Sequence, residues 1–274
     1  MSSITKSLLT FLPKVLISEF VGRLARIYIP SPLRRLVLIT FAKLNGVKIE
    51  EASRDLVEYR SVADFFTREL KSGAREIGEG FVSPVDGTLR GWGPILENKI
   101  ESIKGRSYSV KKLLGETINH AEGFKSFLNF YLAPKDYHHI HAPIECNVLR
   151  WRFIPGTLWP VNNWAIQNVE DLFPSNSRVV LECDSIKGRL MIVFVGALNV
   201  GRIELRLGNE SKILCGSTAQ EGELSGGIKI SKGERIGIFH LGSSVVLLSE
   251  EKLFESLELQ SRAVKMGESL LRNF

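Results

Sequence analysis

The chain has 274 residues, 44% of them hydrophobic, enough for one large domain or two small ones; that composition excludes a disordered chain, a disulfide scaffold and a collagen-like repeat. Its formal net charge of +6 is unevenly placed, because residues 1–50 carry eight bases and two acids while the rest of the chain holds 28 of each. A nucleic-acid protein whose footprint runs across its core does not fit a neutral body.

In chain order, the sequence predicts neither a membrane-spanning helix, which needs roughly 18 apolar residues, nor a cleaved signal peptide around Lys6 and Pro13-Lys14. At 100° per residue, Leu12, Leu16, Ile17, Phe20, Val21, Leu24 and Ile27 share one half of a helical wheel. Lys14, Ser18, Glu19 and Arg26 occupy the other half, with Arg23 at the rim. A second helix is expected to open at Ser31-Pro32, with Ser31 as N-cap and Pro32 at the first helical position. Two readings of this basic pair stay open, packing on the body and lying on an anionic bilayer.

Beyond residue 80, short β-branched runs recur between turn signals: Val179–Leu181, Met191–Val195, Ile203–Leu205, Ile228–Ile230 and Ser244–Leu248. Gly226-Gly227 and Lys232-Gly233 read as tight turns. Helix is expected over Ala63–Leu70, Val110–Leu114 and the C-terminal Glu255–Leu271. The expected fold class is α+β, a β-rich single domain preceded by amphipathic helices, with a boundary near residue 50. Cys146, Cys183 and Cys215 are odd in number and lack CxxC spacing, which predicts buried free thiols in a reducing compartment.

Three of the five histidines, His138, His139 and His141, fall between Pro134 and Pro143; in a strand, His139 and His141 would share a face. No matching carboxylate or cysteine cluster accompanies them, so no metal site is expected. Asp86 precedes a glycine in Ser83-Pro-Val-Asp-Gly87, a turn signature. Two small-residue stretches offer a serine, Ser217 and Ser243, and local composition does not choose between them. An Asp, a His cluster and a serine suit a nucleophile–base–orienter arrangement.

Asp64-Phe-Phe-Thr-Arg-Glu-Leu70, Ser83-Pro-Val-Asp-Gly87, Lys104-Gly-Arg-Ser-Tyr-Ser109, Asp136-Tyr-His-His-Ile-His-Ala-Pro143, Gly156-Thr-Leu-Trp-Pro-Val-Asn162, Lys232-Gly-Glu234 and Leu241-Gly-Ser243 follow one another in uninterrupted order. Together they resemble the pyruvoyl-dependent phosphatidylserine decarboxylase family in its short bacterial form, from about Leu12 to the C-terminus. The resemblance implies a triad of Asp86, His141 and Ser243, with His138 binding the headgroup or supplying a proton. It further implies a zymogen that cuts itself at Gly242-Ser243 into a β chain, 1–242, and an α chain, 243–274. The cofactor would be a covalent pyruvoyl group derived from Ser243, with no external cofactor. Phosphatidylserine would be decarboxylated to phosphatidylethanolamine and CO₂ through a Schiff base to that group. The implied partners are phosphatidylserine in an anionic membrane, the two chains of one precursor and further copies in a homo-oligomer. The implied place is the cytoplasmic side of a bacterial inner membrane, peripherally bound. Ser244 stands where the family has Thr, which keeps a β-hydroxyl and loses a methyl. Two other readings of the same residues are a serine hydrolase acting on an external ester and a non-enzymatic lipid-binding relative.

Overall fold

The structure, a computed structural model, describes residues 14–101, 107–115, 121–197, 202–208, 213–215, 218–240, 243–254 and 260–272. Six helices are present among them: α1 (Lys14–Ala25), α2 (Ser31–Asn45), α3 (Val62–Phe66), α4 (Val110–Leu114), α5 (Asn163–Asn168) and α6 (Leu172–Ser175). The strands are β1 (Phe81–Val82), β2 (Gly87–Leu96), β3 (Lys99–Glu101), β4 (Ser107–Ser109), β5 (Ser126–Leu132), β6 (His139–His141), β7 (Cys146–Ile154) and β8 (Arg178–Ser185). They continue with β9 (Gly188–Gly196), β10 (Ile203–Leu205), β11 (Ile213–Cys215), β12 (Gln220–Ile230), β13 (Arg235–Phe239), β14 (Ser243–Ser249), β15 (Arg262–Val264) and β16 (Ser269–Leu271). This is the expected α+β, β-rich architecture.

A ten-stranded sheet runs in the order β12-β7-β8-β9-β14-β5-β2-β3-β4, with β15 added against β2. A four-stranded sheet, β11-β10-β13-β6, and the pair β1-β16 complete the body. β14 reads Ser-Ser-Val-Val-Leu-Leu-Ser and is buried along its whole length, as a strand covered on both faces must be. β2 alternates buried and exposed positions, the period-2 pattern of a strand with one wet face. The main core is built from β5, β8, β9 and β14 through residues such as Leu128, Phe130, Val180, Ile192, Phe194, Val246 and Leu248.

At the N-terminal end, α2 begins at Ser31 itself. Pro30 takes the N-cap position, with no side-chain cap, so the start lies one residue earlier than expected. The helix ends at Gly46 in the left-handed conformation (φ 74°), whose N–H returns to the Ala42 carbonyl. Leu38 and Ala42 share a second cluster with Ile29, Leu56, Tyr59 and Phe65. One face of α2 is therefore packed on the chain that follows, as the packing reading required, and the opposite face stays exposed. No helix among the described residues is long and apolar enough to cross a membrane.

Three expectations are corrected. The C-terminal stretch is not helical where it is described: 262–264 and 269–271 are strands, while 255–259 lie outside the described residues. Pairing with β2 and β1 outweighs helix propensity there. Gly267, at φ +84°, also approaches the Glu76 carbonyl so closely that a Cβ would meet it at 2.2 Å. Gly226-Gly227 forms no turn between strands but a bulge inside β12, where pairing with β7 skips from Glu223↔Arg150 to Ile228↔Val148. Helix α3 stops at Phe66 rather than Leu70, and Arg68 is buried beyond it.

Arg178, on β8 and 4% exposed, fixes two helix ends to the sheet. It donates to the carbonyls of Lys112 (2.7 Å) and Leu113 (2.6 Å) in α4, to Pro174 (2.5 Å) in α6 and to Asn176 (3.0 Å). Carbonyls in the last turn of a helix lack intrahelical partners and attract a cation. Burial lowers the Arg178 pKa to about 10, still high enough to keep it charged at neutral pH. Arg178→Met should cost about 3 kcal/mol, a fall of roughly 6–12 °C in Tm. Arg178→Lys should recover less than half; calorimetric melting of both variants checks this.

Candidate active site

Asp86 sits in the turn between β1 and β2 and is 4% exposed. Its carboxylate accepts from Arg75 Nε (2.8 Å) and Nη2 (2.5 Å) and from the Met266 backbone N–H (2.8 Å). Arg75 Nη2 also donates to Glu51 (2.6 Å), and Lys265 bonds Glu51 at 3.3 Å. Burial alone would lower the Arg75 pKa, but the hydrogen bonds and charges of Asp86 and Glu51 outweigh it and raise it. The expected orienter is thus engaged by an arginine and by the C-terminal segment.

His141, at the end of β6, has two other partners. Its Nδ1–H donates to the Gly233 carbonyl (2.8 Å), so Nε2 carries the lone pair and accepts from the Tyr137 hydroxyl at 3.3 Å. The turn carrying Asp86 does lie against His141, whose backbone N–H bonds the Pro84 carbonyl at 2.9 Å. Asp86 and His141 are therefore neighbours without a mutual hydrogen bond, and Asp86 acts on the ring through its charge. Burial, the largest influence, lowers the His141 pKa.

Ser243 opens β14, opposite Leu132 on one side and Gly196 on the other. Its Oγ is buried and has no hydrogen-bond partner among the described residues. The residue lines a cavity of about 400 Å³ whose walls come from α1 (Val21, Ala25), α2 (Phe41), α3 (Phe66), β5 (Leu132) and Ala197 after β9. Gly242 and Ser217 lie outside the described residues.

His138 is fully buried and packs against Phe66, with ring centroids 4.1 Å apart and the rings tilted by 45°. Nδ1–H donates to the Asp136 carbonyl (2.8 Å), whereas Nε2 is buried without a partner among the described residues. Burial drives its pKa down to about 3, so the ring is neutral and Nε2 is an acceptor. His139 is structural. Its Nε2–H donates to the Thr67 carbonyl (3.0 Å), Arg235 donates to its Nδ1 (3.0 Å) and the ring stacks on Tyr137. Burial brings its pKa to about 4. His240 is paired with the buried Glu204 at 3.1 Å. Among the described residues, no three His, Cys, Asp or Glu side chains come together as a metal site would require.

Sequence reasoning missed Tyr137, Arg75 and the Gly233 carbonyl. Tyr137 was legible only as the middle of Asp-Tyr-His, Gly233 only as a turn, and Arg75 carried no local signal.

His138 and His139 bind fewer protons in the folded than in the unfolded chain between pH 6.5 and their folded pKa values of about 3 and about 4. Stability is then full above pH 6.5 and declines as the pH falls through that window. Chemical-denaturation midpoints measured between pH 7.5 and 4.5 should drop progressively, and His139→Gln should flatten the decline; an equal slope in the variant would contradict the assignment.

The family model described as phosphatidylserine decarboxylase matches residues 62–272. The phosphatidylserine decarboxylase proenzyme of Myxococcus xanthus is 36% identical over 253 residues, covering 89% of each chain. That of Psychrobacter arcticus is 36% identical over 270 residues and 95% of each chain. That of Brevibacillus brevis is 34% identical over 268 residues, 95% of this chain and 92% of the relative. With a family model matched over residues 62–272 and relatives 36% identical across most of the chain, this protein belongs to the phosphatidylserine decarboxylase family of enzymes.

Proposed function

We propose that the chain is a self-processing decarboxylase of phosphatidylserine that docks on the membrane holding its substrate. The observation that carries this reading is the buried Ser243 hydroxyl, without a partner among the described residues, at the wall of an apolar cavity and on a strand paired along both edges. His141 Nε2 exchanges the Tyr137 hydroxyl for Ser243 Oγ and takes its proton, as the base of a serine nucleophile does. Ser243 Oγ attacks the Gly242 carbonyl, and the acyl group moves from nitrogen to oxygen. Elimination releases the 1–242 carboxylate and leaves dehydroalanine, whose hydrolysis with loss of ammonia yields a pyruvoyl group on the 243–274 chain. Asp86 supplies charge near His141 and, through Met266, ties the new chain to the old.

The surroundings suit such a group. Strands β14, β15 and β16 all belong to the 243–274 segment, and each pairs with a strand from 81–196, so cleavage would leave both pieces in one sheet system. The group would supply a ketone that accepts electrons from the decarboxylating carbon. His138 Nε2, neutral and without a partner among the described residues, can accept a hydrogen bond from the substrate amine, the headgroup-binding role of the two expected for it. Phe66, Leu132 and Ala197 exclude water.

Nine of the twelve large hydrophobic side chains exposed among the described residues lie between residues 20 and 57, led by Leu44 at 81%, Leu36 at 66% and Phe20 at 62%. The exposed Arg26, Arg35 and Lys43 stand among them. An apolar face rimmed by cations suits the surface of an anionic bilayer. Residues 1–50 are thus read as the membrane-facing part and 51–274 as the catalytic part, peripheral on the cytoplasmic side.

Intact-protein mass spectrometry should find two chains divided at Gly242/Ser243, the smaller bearing a carbonyl in place of its amine. Ser243→Ala should remain one chain; cleavage in that variant would sink the reading, and an intact wild-type chain labelled by a fluorophosphonate would favour a hydrolase. For docking, deletion of α2 would remove Leu38 and Ala42 from a structural cluster, so exposed positions are the better test. Phe20→Ser, Leu24→Ser, Leu36→Ser and Leu44→Ser combined should abolish sedimentation with phosphatidylserine vesicles while leaving Tm unchanged. Undiminished sedimentation would refute the membrane face.

A further inference from the structure

We propose that Arg90 binds the phosphodiester anion of the substrate headgroup at the rim of the Ser243 cavity, an inference that rests on the lipid-decarboxylase reading above. Arg90 projects from β2, and its guanidinium carbon lies 3.7 Å from the ring centroid of Tyr131. Nη1 donates to the Val161 carbonyl at 3.3 Å. Tyr131 and Val161 both line the cavity that Ser243 lines, so the arginine is fastened to two of its wall residues.

Among the described residues, the cavity lining contains no charged side chain. An anionic headgroup entering it sheds water and gains no compensating charge from the walls, which is costly unless a cation meets it at entry. Arg75 holds Asp86 and Glu51, and Lys135 pairs with Asp136. Arg68 gives Nη2 to the carbonyls of Lys135 and Asp136 and is buried below the surface, with Nε and Nη1 lacking partners among the described residues. Arg90 has no carboxylate partner among the described residues; one ring face and one carbonyl hold it. A guanidinium stacked on an aromatic ring keeps its edge N–H groups free for a forked, bidentate contact with two oxygens of a phosphate. Half-burial, which lowers the Arg90 pKa, strengthens its pull on an anion by limiting screening.

The phosphodiester is the better occupant than the headgroup carboxylate. A clamp on the carboxylate would stabilise the charge that has to leave as CO₂, favouring the reactant over the transition state. The phosphodiester keeps its charge throughout the reaction, so holding it places the headgroup without opposing the chemistry.

The test uses the full chain and a pair of short-chain probes, dihexyl phosphate and its neutral methyl triester, with binding read by titration calorimetry. Arg90→Met should weaken dihexyl phosphate by about tenfold or more and leave the triester unchanged, while Arg90→Lys should keep part of the affinity. Equal weakening of both probes would assign Arg90 to the shape of the cavity and overturn the proposal. So would an unchanged diester, or a wild-type chain that does not bind it. Neither probe carries an amine or a carboxylate, so the result is independent of turnover. Failure of the decarboxylase reading would show separately, as a wild-type chain that remains uncut.

Discussion

The backbone ladder of β14 is the constraint on which the rest of the site depends. From Ser243 to Ser249 every residue is opposite one residue of β5 and one of β9, and every residue is buried. Backbone N–H and C=O groups removed from water need partners, and a strand bonded along both edges supplies them all without help from side chains. Ser243 is consequently fixed by the sheet rather than by its own hydroxyl, which is left unpartnered toward the cavity. The same ladder lets the 243–274 segment stay in place with or without a peptide bond to what precedes it.

Electrostatics divides the labour around that strand. A buried carboxylate bonded twice by a guanidinium is hard to move, since departure would strand a cation in low dielectric. Asp86 is in that position with Arg75, and its third bond, from the Met266 N–H, binds the turn before β2 to the C-terminal segment. Orientation of His141 falls instead to the Gly233 carbonyl and the Tyr137 hydroxyl. Burial keeps His138, His139 and His141 toward the neutral form, and neutral imidazoles are the state in which a ring nitrogen can take a proton.

How legible these features were depends on the range of the forces behind them. The strands at Val179–Leu181, Met191–Val195 and Ser244–Leu248 were visible because consecutive β-branched residues bounded by turn residues mark a doubly covered strand. The stretch 262–271 was misread because Arg-Ala-Val-Lys-Met has good helix propensity, whereas its conformation is set by partners at residues 81–89, far away in sequence. Arg178 carries no local signal of burial, which follows from α4 and α6 arriving over it from distant parts of the chain.

The sequence by itself determined the β-rich α+β class and the basic N-terminal helices, and its ordered motifs supplied the proposed site residues Asp86, His138, His141 and Ser243. These follow from local periodicity and residue chemistry, which are written along the chain. Tertiary structure alone decided which groups meet: Asp86 with Arg75, His141 with Gly233 and Tyr137, Ser243 with a cavity roofed by α1 and α2. Hydrogen bonds of about 3 Å discriminate among partners that sequence distance leaves equivalent. Which buried polar group satisfies which other is settled only when packing has removed water from all of them.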